Sequence, residues 1–226
     1  MCASRSVNPW DIIVRRIGNK LFFDRRDGSE IDMVSVNETA NEPPNEDNVG
    51  INDPRNLTLE ATYVNKVFCQ QCLKQGEWND LKHKNPYIDP SMPKDRVASA
   101  GYRYRLFKLG DYKLVARTAV DAVTIDKKTN KKSYAMIRAL NEWDPKVSGD
   151  WRKKLESQRG AVLATEIKNN NCKLARWTTQ AVMAGAKVMK LAYVTRNNAK
   201  NNREHTIVHV EQYKPKGFIN LKNIFY

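Results

Sequence analysis

Tyr112 to Ile125 reads YKLVARTAVDAVTI and Gly160 to Lys168 reads GAVLATEIK. Both are apolar runs bounded by polar or turn-forming residues, and both read as strands, the second as a buried one. YRYRLFKL around Tyr102 to Leu109 and KSYAMIRALNEW from Lys132 to Trp143 carry further strand signals, with the turn-like break DKKTN before the latter. Strands near Leu191 to Arg196 and His205 to Tyr213 complete the pattern. Helical periodicity sets in where Leu57, Ala61, Val64, Phe68 and Cys72 fall on one stripe, so Asn56 is expected to cap a helix running to about Gln75. A second helix is expected from Lys173 to about Leu191 and a short one from Trp151 to Gln158. WDIIVRRIGNKLFF reads as a hairpin, or as a helix end leading into a strand, around Gly18-Asn19. Asp24 to Pro54 reads as loop, and Trp78 to Pro93 as irregular. Helices and strands interleave without a repeat, which predicts a mixed α/β (α+β) fold with a central mixed sheet flanked by helices, in one domain over 1–226.

Charge is unevenly spread. The net charge is +14, yet between Asp24 and Asp53 nine acids face only Arg25 and Arg26, so that stretch carries −7 and the remainder +21. A basic body with an acidic flap suggests a polyanion-binding surface partly covered by a segment that mimics or repels the polyanion; the alternative is a solubilising excess with a flexible acidic loop. With 41% hydrophobic and 28% charged residues the composition is that of a globular domain. No apolar run reaches membrane-spanning length and no signal segment opens the chain, so a soluble intracellular protein is expected. Four scattered cysteines do not make a disulfide framework.

Because side chains two apart on a strand share a face, Arg117, Ala119 and Asp121 are expected to project together, as are Glu166 and Lys168. An Asp on one strand and Glu-x-Lys on the next form part of a Mg²⁺ nuclease site, in which carboxylates hold the metal and the lysine steadies hydroxide or phosphate charge. Glu60, on the first helix, is a candidate third acid. The position where a second strand carboxylate is expected is Ala119. The alternative is an Asp and a Glu-Lys pair solvated at strand ends. Cys69 and Cys72 have metal-ligand spacing but no second pair, and read as buried thiols. His205 and His209 are expected to share a strand face, with no role marked for them. No glycine-rich phosphate cradle is present. Aromatic and basic residues interleave in Tyr102-Arg103-Tyr104-Arg105 and Arg176-Trp177, a composition used to stack bases in a positive groove.

The segments WDIIVRRIGNKLFFDRRD, NETANEPP, NLTLEATYVNKVFCQQCL, YRYRLFKLGD, ALNEWD, DWRKKLESQRGAVLATEIKNN and KLARWTTQAVMAG run in this order along nearly the whole chain. Together they resemble the D-subunit family of eukaryotic translation initiation factor 3. The resemblance implies a fold like the decapping exoribonucleases, whose site uses a helix Glu, a Glu-x-Asp and a Glu-x-Lys. Asp121, Glu166 and Lys168 would then be remnants of that site, with Glu60 the helix counterpart and Ala119 a departure, in a protein that is not an enzyme and needs no cofactor or metal. It implies binding of the mRNA 5′ cap, with Val7, Asn8, Thr62, Asn65 and Lys66 matching segments that line the pocket; Asn8 and Lys66 stand where the family more often has Tyr and His. It implies an inserted RNA gate over 30–44, including Glu30, Asp32, Glu38, Thr39, Asn41, Glu42, Pro43 and Pro44, whose acids would fill the basic groove. Capped mRNA, other initiation factor 3 subunits and the small ribosomal subunit are the implied partners, with no membrane, in the cytoplasm. Members extend before Met1 and after Tyr226, so a fragment, a truncated paralogue or a minimal cap-binding domain is expected.

Overall fold

The computed structural model describes residues 11–26, 33–44, 50–77, positions 79, 81, 83, 86, 88, 89 and 91–93, then 101–126 and 128–220. The first described stretch is a hairpin in which β1 (Ile13–Ile17) pairs antiparallel with β2 (Lys20–Asp24). Gly18 takes φ +61 in its two-residue turn, where a side chain would be strained. α1 (Pro54–Gln71) begins ahead of the expected cap: Asp53 accepts from the Arg55 and Asn56 backbone N–H groups, and Pro54 supplies the preset φ of a first helical residue.

β3 (Gly101–Leu109) and β4 (Tyr112–Val120) form a second hairpin. The strand expected over Tyr112–Ile125 breaks at Asp121, where the chain leaves this hairpin and β5 (Ala122–Ile125) enters another sheet. β6 (Lys132–Glu142) pairs antiparallel with β5, and Asp126 at the end of β5 accepts the Lys128 and Thr129 N–H groups between them. The chain then crosses over through α2 (Pro145–Ser148), α3 (Trp151–Lys154), α4 (Arg159–Asn169) and α5 (Asn171–Ala184). It returns as β7 (Val188–Asn198), parallel to β6 and antiparallel to β8 (Asn201–Tyr213), before the short α6 (Pro215–Ile219). The sheet order β5-β6-β7-β8 with helices packed on it fulfils the mixed α/β expectation.

The expected strand over Gly160–Lys168 is the helix α4. Its buried positions Val162, Glu166, Ile167 and Asn169 recur at helical spacing, while Ala161, Ala164 and Lys168 are exposed between them. Ala, Leu, Glu and Lys in GAVLATEIK are good helix formers, and an apolar run this short does not by itself distinguish a buried strand from a buried helix.

α1 covers one face of the sheet, where Val64 and Phe68 pack with Ile137, Ala139, Ala192 and Val194. Met136, Leu140, Leu191 and Tyr193 meet Leu174, Trp177 and Trp151 from the crossover helices in the larger core. Adjacent Asn141 and Glu142 at the end of β6 therefore look to opposite sides.

Candidate functional site

Glu60 of α1 is buried. Its Oε1 accepts from Arg196 Nε at 2.9 Å and Asn141 Nδ2 at 3.0 Å, and Oε2 accepts from Arg196 Nη2 at 2.5 Å. His205 Nε2 lies 2.7 Å from Oε1; an ionised carboxylate can only accept, so that nitrogen carries the proton. Burial alone would raise the Glu60 carboxyl, but these donors outweigh it and hold the group at about 2. Arg196 is itself buried and is further bound by Asn52 Oδ1 and the Ala199 carbonyl. Glu60 is thus tied within the fold through Arg196, His205 and Asn141.

Asp121 sits where β5 has ended on one side of β6 and left that edge unpaired. Asp121 Oδ2 accepts the Ile137 N–H at 2.7 Å and Arg138 Nη1 at 2.5 Å. Two residues on, Asn65 Oδ1 of α1 accepts the Ala139 N–H at 3.0 Å. Together these side chains occupy the backbone donors that a neighbouring strand would otherwise take. Asp121→Asn keeps an acceptor for Ile137 but loses the charge opposite Arg138, and should lower stability by about 1–2 kcal/mol. The urea midpoint measures this; an unchanged midpoint would mean that the charge is not needed at this edge.

Glu166 is buried on the other side of the sheet from Glu60, within electrostatic reach of Glu142 and Lys173. Lys168, two positions along a helix instead of a strand, is exposed. The expected shared face of Glu166 and Lys168 does not exist, because two residues along an α-helix turn the side chain by about 200° rather than back to the same side. Burial raises the Glu166 carboxyl above the ordinary carboxylate range against the opposing effects of Lys173 and Asn170, and burial lowers the Lys173 ammonium against Glu166. Asp121, Glu60 and Glu166 are therefore held in three separate internal networks, and the described residues bring them into no common group.

Residues 33–44, from the expected gate, form a strap between α1 and the α4–α5 corner. Val34 N donates to Thr62 Oγ1 at 2.9 Å, Arg176 donates to the Met33 carbonyl, and Lys173 Nζ donates to the Ser35 carbonyl at 2.9 Å. Asn37, at φ +50, donates its backbone N–H to Asn170 Oδ1, and Asn170 Nδ2 donates in turn to Asn37 Oδ1 and to Glu166 Oε2. Thr39 donates its hydroxyl to the Lys168 carbonyl and its N–H to the Asn169 carbonyl, and accepts the Asn171 N–H. Val34 and Val36 are buried in the larger core. Glu38, Asn41, Glu42 and Pro43 are exposed and Pro44 is half-buried, so the strap is held by its backbone, Asn37, Thr39 and two valines, not by its acids. Glu30 and Asp32 lie outside the described residues.

Of the expected pocket residues, Thr62 and Asn65 are half-buried and engaged as above, whereas Lys66 is exposed. Val7 and Asn8 lie outside the described residues. Cys69 and Cys72 are half-buried free thiols; burial pushes Cys69 up to about 11 and raises Cys72 as well. His205 and His209 do not share a face: a register shift between Tyr193 and Val194 inserts one residue, so His205 meets Glu60 while His209 approaches the Tyr193 ring and Glu211. Arg138, Lys173 and Arg196 carry no motif in the sequence. Arg138 is a lone cation in the apolar run AMIRAL, a signal of a buried partner, whereas Lys173 and Arg196 stand among Asn and other basic residues and give no such signal.

Residues 1–225 match the family described as "Eukaryotic translation initiation factor 3 subunit 7 (eIF-3)". The chain belongs to this family. It is 50% identical to the D subunit of eukaryotic translation initiation factor 3 of Xenopus laevis and 47% identical to that of Homo sapiens, in each case over 99% of this chain. It spans 41% of the length of those curated relatives. A solved structure of Scheffersomyces stipitis Rai1 resembles 55% of this chain and 28% of its own at 19% identity and a TM-score of 0.32, too slight a likeness to carry an argument.

Proposed function

We propose that this chain is a messenger-RNA cap-binding module acting in translation initiation, with residues 30–44 as a gate over the RNA path. The observation that carries the reading is membership of the initiation-factor family along essentially the whole chain. The geometry is consistent with binding without hydrolysis: Glu60, Asp121 and Glu166 are each committed to internal donors, so the fold uses these carboxylates for its own stability. A decapping-exoribonuclease-like ancestry, the cap-lining roles of Val7, Asn8, Thr62, Asn65 and Lys66, and work alongside other initiation factor 3 subunits and the small ribosomal subunit in the cytoplasm belong to the same proposal. Among the described residues no helix is long and apolar enough to cross a membrane.

The strap supports the gate reading because it lies on Thr62, one of the proposed pocket residues. Opening it would expose Val34 and Val36, each worth roughly 1.5–3 kcal/mol of burial, so an RNA or protein partner must supply the energy. The test is competition of methylated cap analogue against unmethylated GTP for a short capped RNA, with Mg²⁺ present and the RNA inspected for cleavage. Selective displacement by the methylated analogue with intact RNA is expected. Equal displacement would reduce the role to general RNA binding or scaffolding, and released cap would make the chain a hydrolase.

A further inference from the structure

Pairing in the β3–β4 hairpin sorts YRYRLFKL into two chemically different faces. Arg103 and Arg105 turn inward, where their guanidinium groups donate to the Ala184, Val182 and Met183 carbonyls at the C-terminal end of α5. These last-turn carbonyls lie at the negative end of the helix dipole, and only that of Val182 also accepts a backbone N–H, from the C-cap Gly185, so the two arginines pin the hairpin to the body. The outer face carries Tyr102, Tyr104, Leu106 and Lys108 on β3 against Ala119, Arg117, Val115 and Lys113 on β4. It is open: Tyr104 is 70%, Leu106 63%, Val115 62% and Tyr102 45% exposed. Arg117 stands opposite Tyr104 and 5.1 Å over the Tyr102 ring. The lone acid of residues 101–120, Asp111, is in the turn and not on this face.

We propose that this outer face is a stacking platform for single-stranded RNA. Two exposed rings on one side of a strand lie roughly 6.8 Å apart along it. Each offers a flat surface to a base irrespective of sequence, and Arg117, Lys108 and Lys113 supply the positive track for the backbone. A large apolar face alone would suit a protein as well; the cations beside the rings, and the absence of carboxylates from the described residues of the face, favour a polyanion. The platform does not depend on the cap-pocket reading, since its ligand needs no cap.

The test is fluorescence anisotropy of the 226-residue chain with an uncapped oligouridine at several salt concentrations. Tyr102→Ala and Tyr104→Ala should each weaken binding by about fivefold or more, whereas Tyr102→Phe and Tyr104→Phe should bind like the parent, because stacking needs the ring and not the hydroxyl. Lys108→Gln with Lys113→Gln should flatten the salt slope by about 1.4. These positions are exposed, so the variants should fold, and unchanged circular dichroism serves as the check. No affinity of the parent chain for oligouridine, or equal affinity of the alanine variants, would overturn the proposal and leave the face to a protein partner.

Discussion

Glu60→Ala is expected to lower the unfolding free energy by about 3–5 kcal/mol, because it leaves the Arg196 guanidinium buried without its carboxylate. The loss should exceed that of an ordinary cavity at this position, since Arg196, His205 and Asn141 all lose an acceptor at once. Linkage gives an independent reading. The carboxyl is held at about 2, below its ordinary 4.5, so its contribution is fully present above pH 4.5 and is lost as pH falls toward 2. That shift corresponds to about 3 kcal/mol, in line with the mutational figure. Acid unfolding of the parent chain should therefore show a component in this window that Glu60→Ala lacks. A variant with the parent's chemical stability and acid profile would show that the network is not stabilising.

Lys173→Met is expected to act on the strap first. Methionine fills the lysine stem but cannot donate to the Ser35 carbonyl, and Glu166 loses the cation that opposes its burial. Burial raises the Glu166 carboxyl, and without Lys173 nothing cationic opposes that rise, so Glu166 can take up a proton instead of remaining an unpaired charge. The global cost should then be about 2–3 kcal/mol, below that of breaking a pair whose surviving member must stay ionised. Amide exchange of residues 34–39 should accelerate by roughly tenfold or more while β7 stays protected. Unchanged strap exchange would leave the hold to Thr62, Arg176, Asn170, Thr39 and the two buried valines, and Lys173 would not be the restraint of a gate.

Both predictions concern residues whose partners lie far away in sequence: Glu60 meets Arg196 and His205, and Lys173 meets Ser35. The strand-forming run KSYAMIRALNEW, the stripe of α1 and the break after Ile125 were legible because they are local signals that follow backbone geometry within a few residues. So were the basic body and the acidic stretch before α1, which need only a count of charges. GAVLATEIK was misread because a short apolar run is compatible with either element, and its packing beneath the strap selects the helix.

The sequence by itself determined the family, the mixed α/β class, most strand positions and the uneven distribution of charge. Tertiary structure decided what the carboxylates do. Whether an acid holds a ligand or closes its own fold depends on which donors converge on it, and those donors come from distant strands and helices. The separation of Tyr102 and Tyr104 from Arg103 and Arg105 shows the same division of labour. Alternation placed them on opposite faces, but only the docking of the hairpin on α5 decided which face is buried and which remains open.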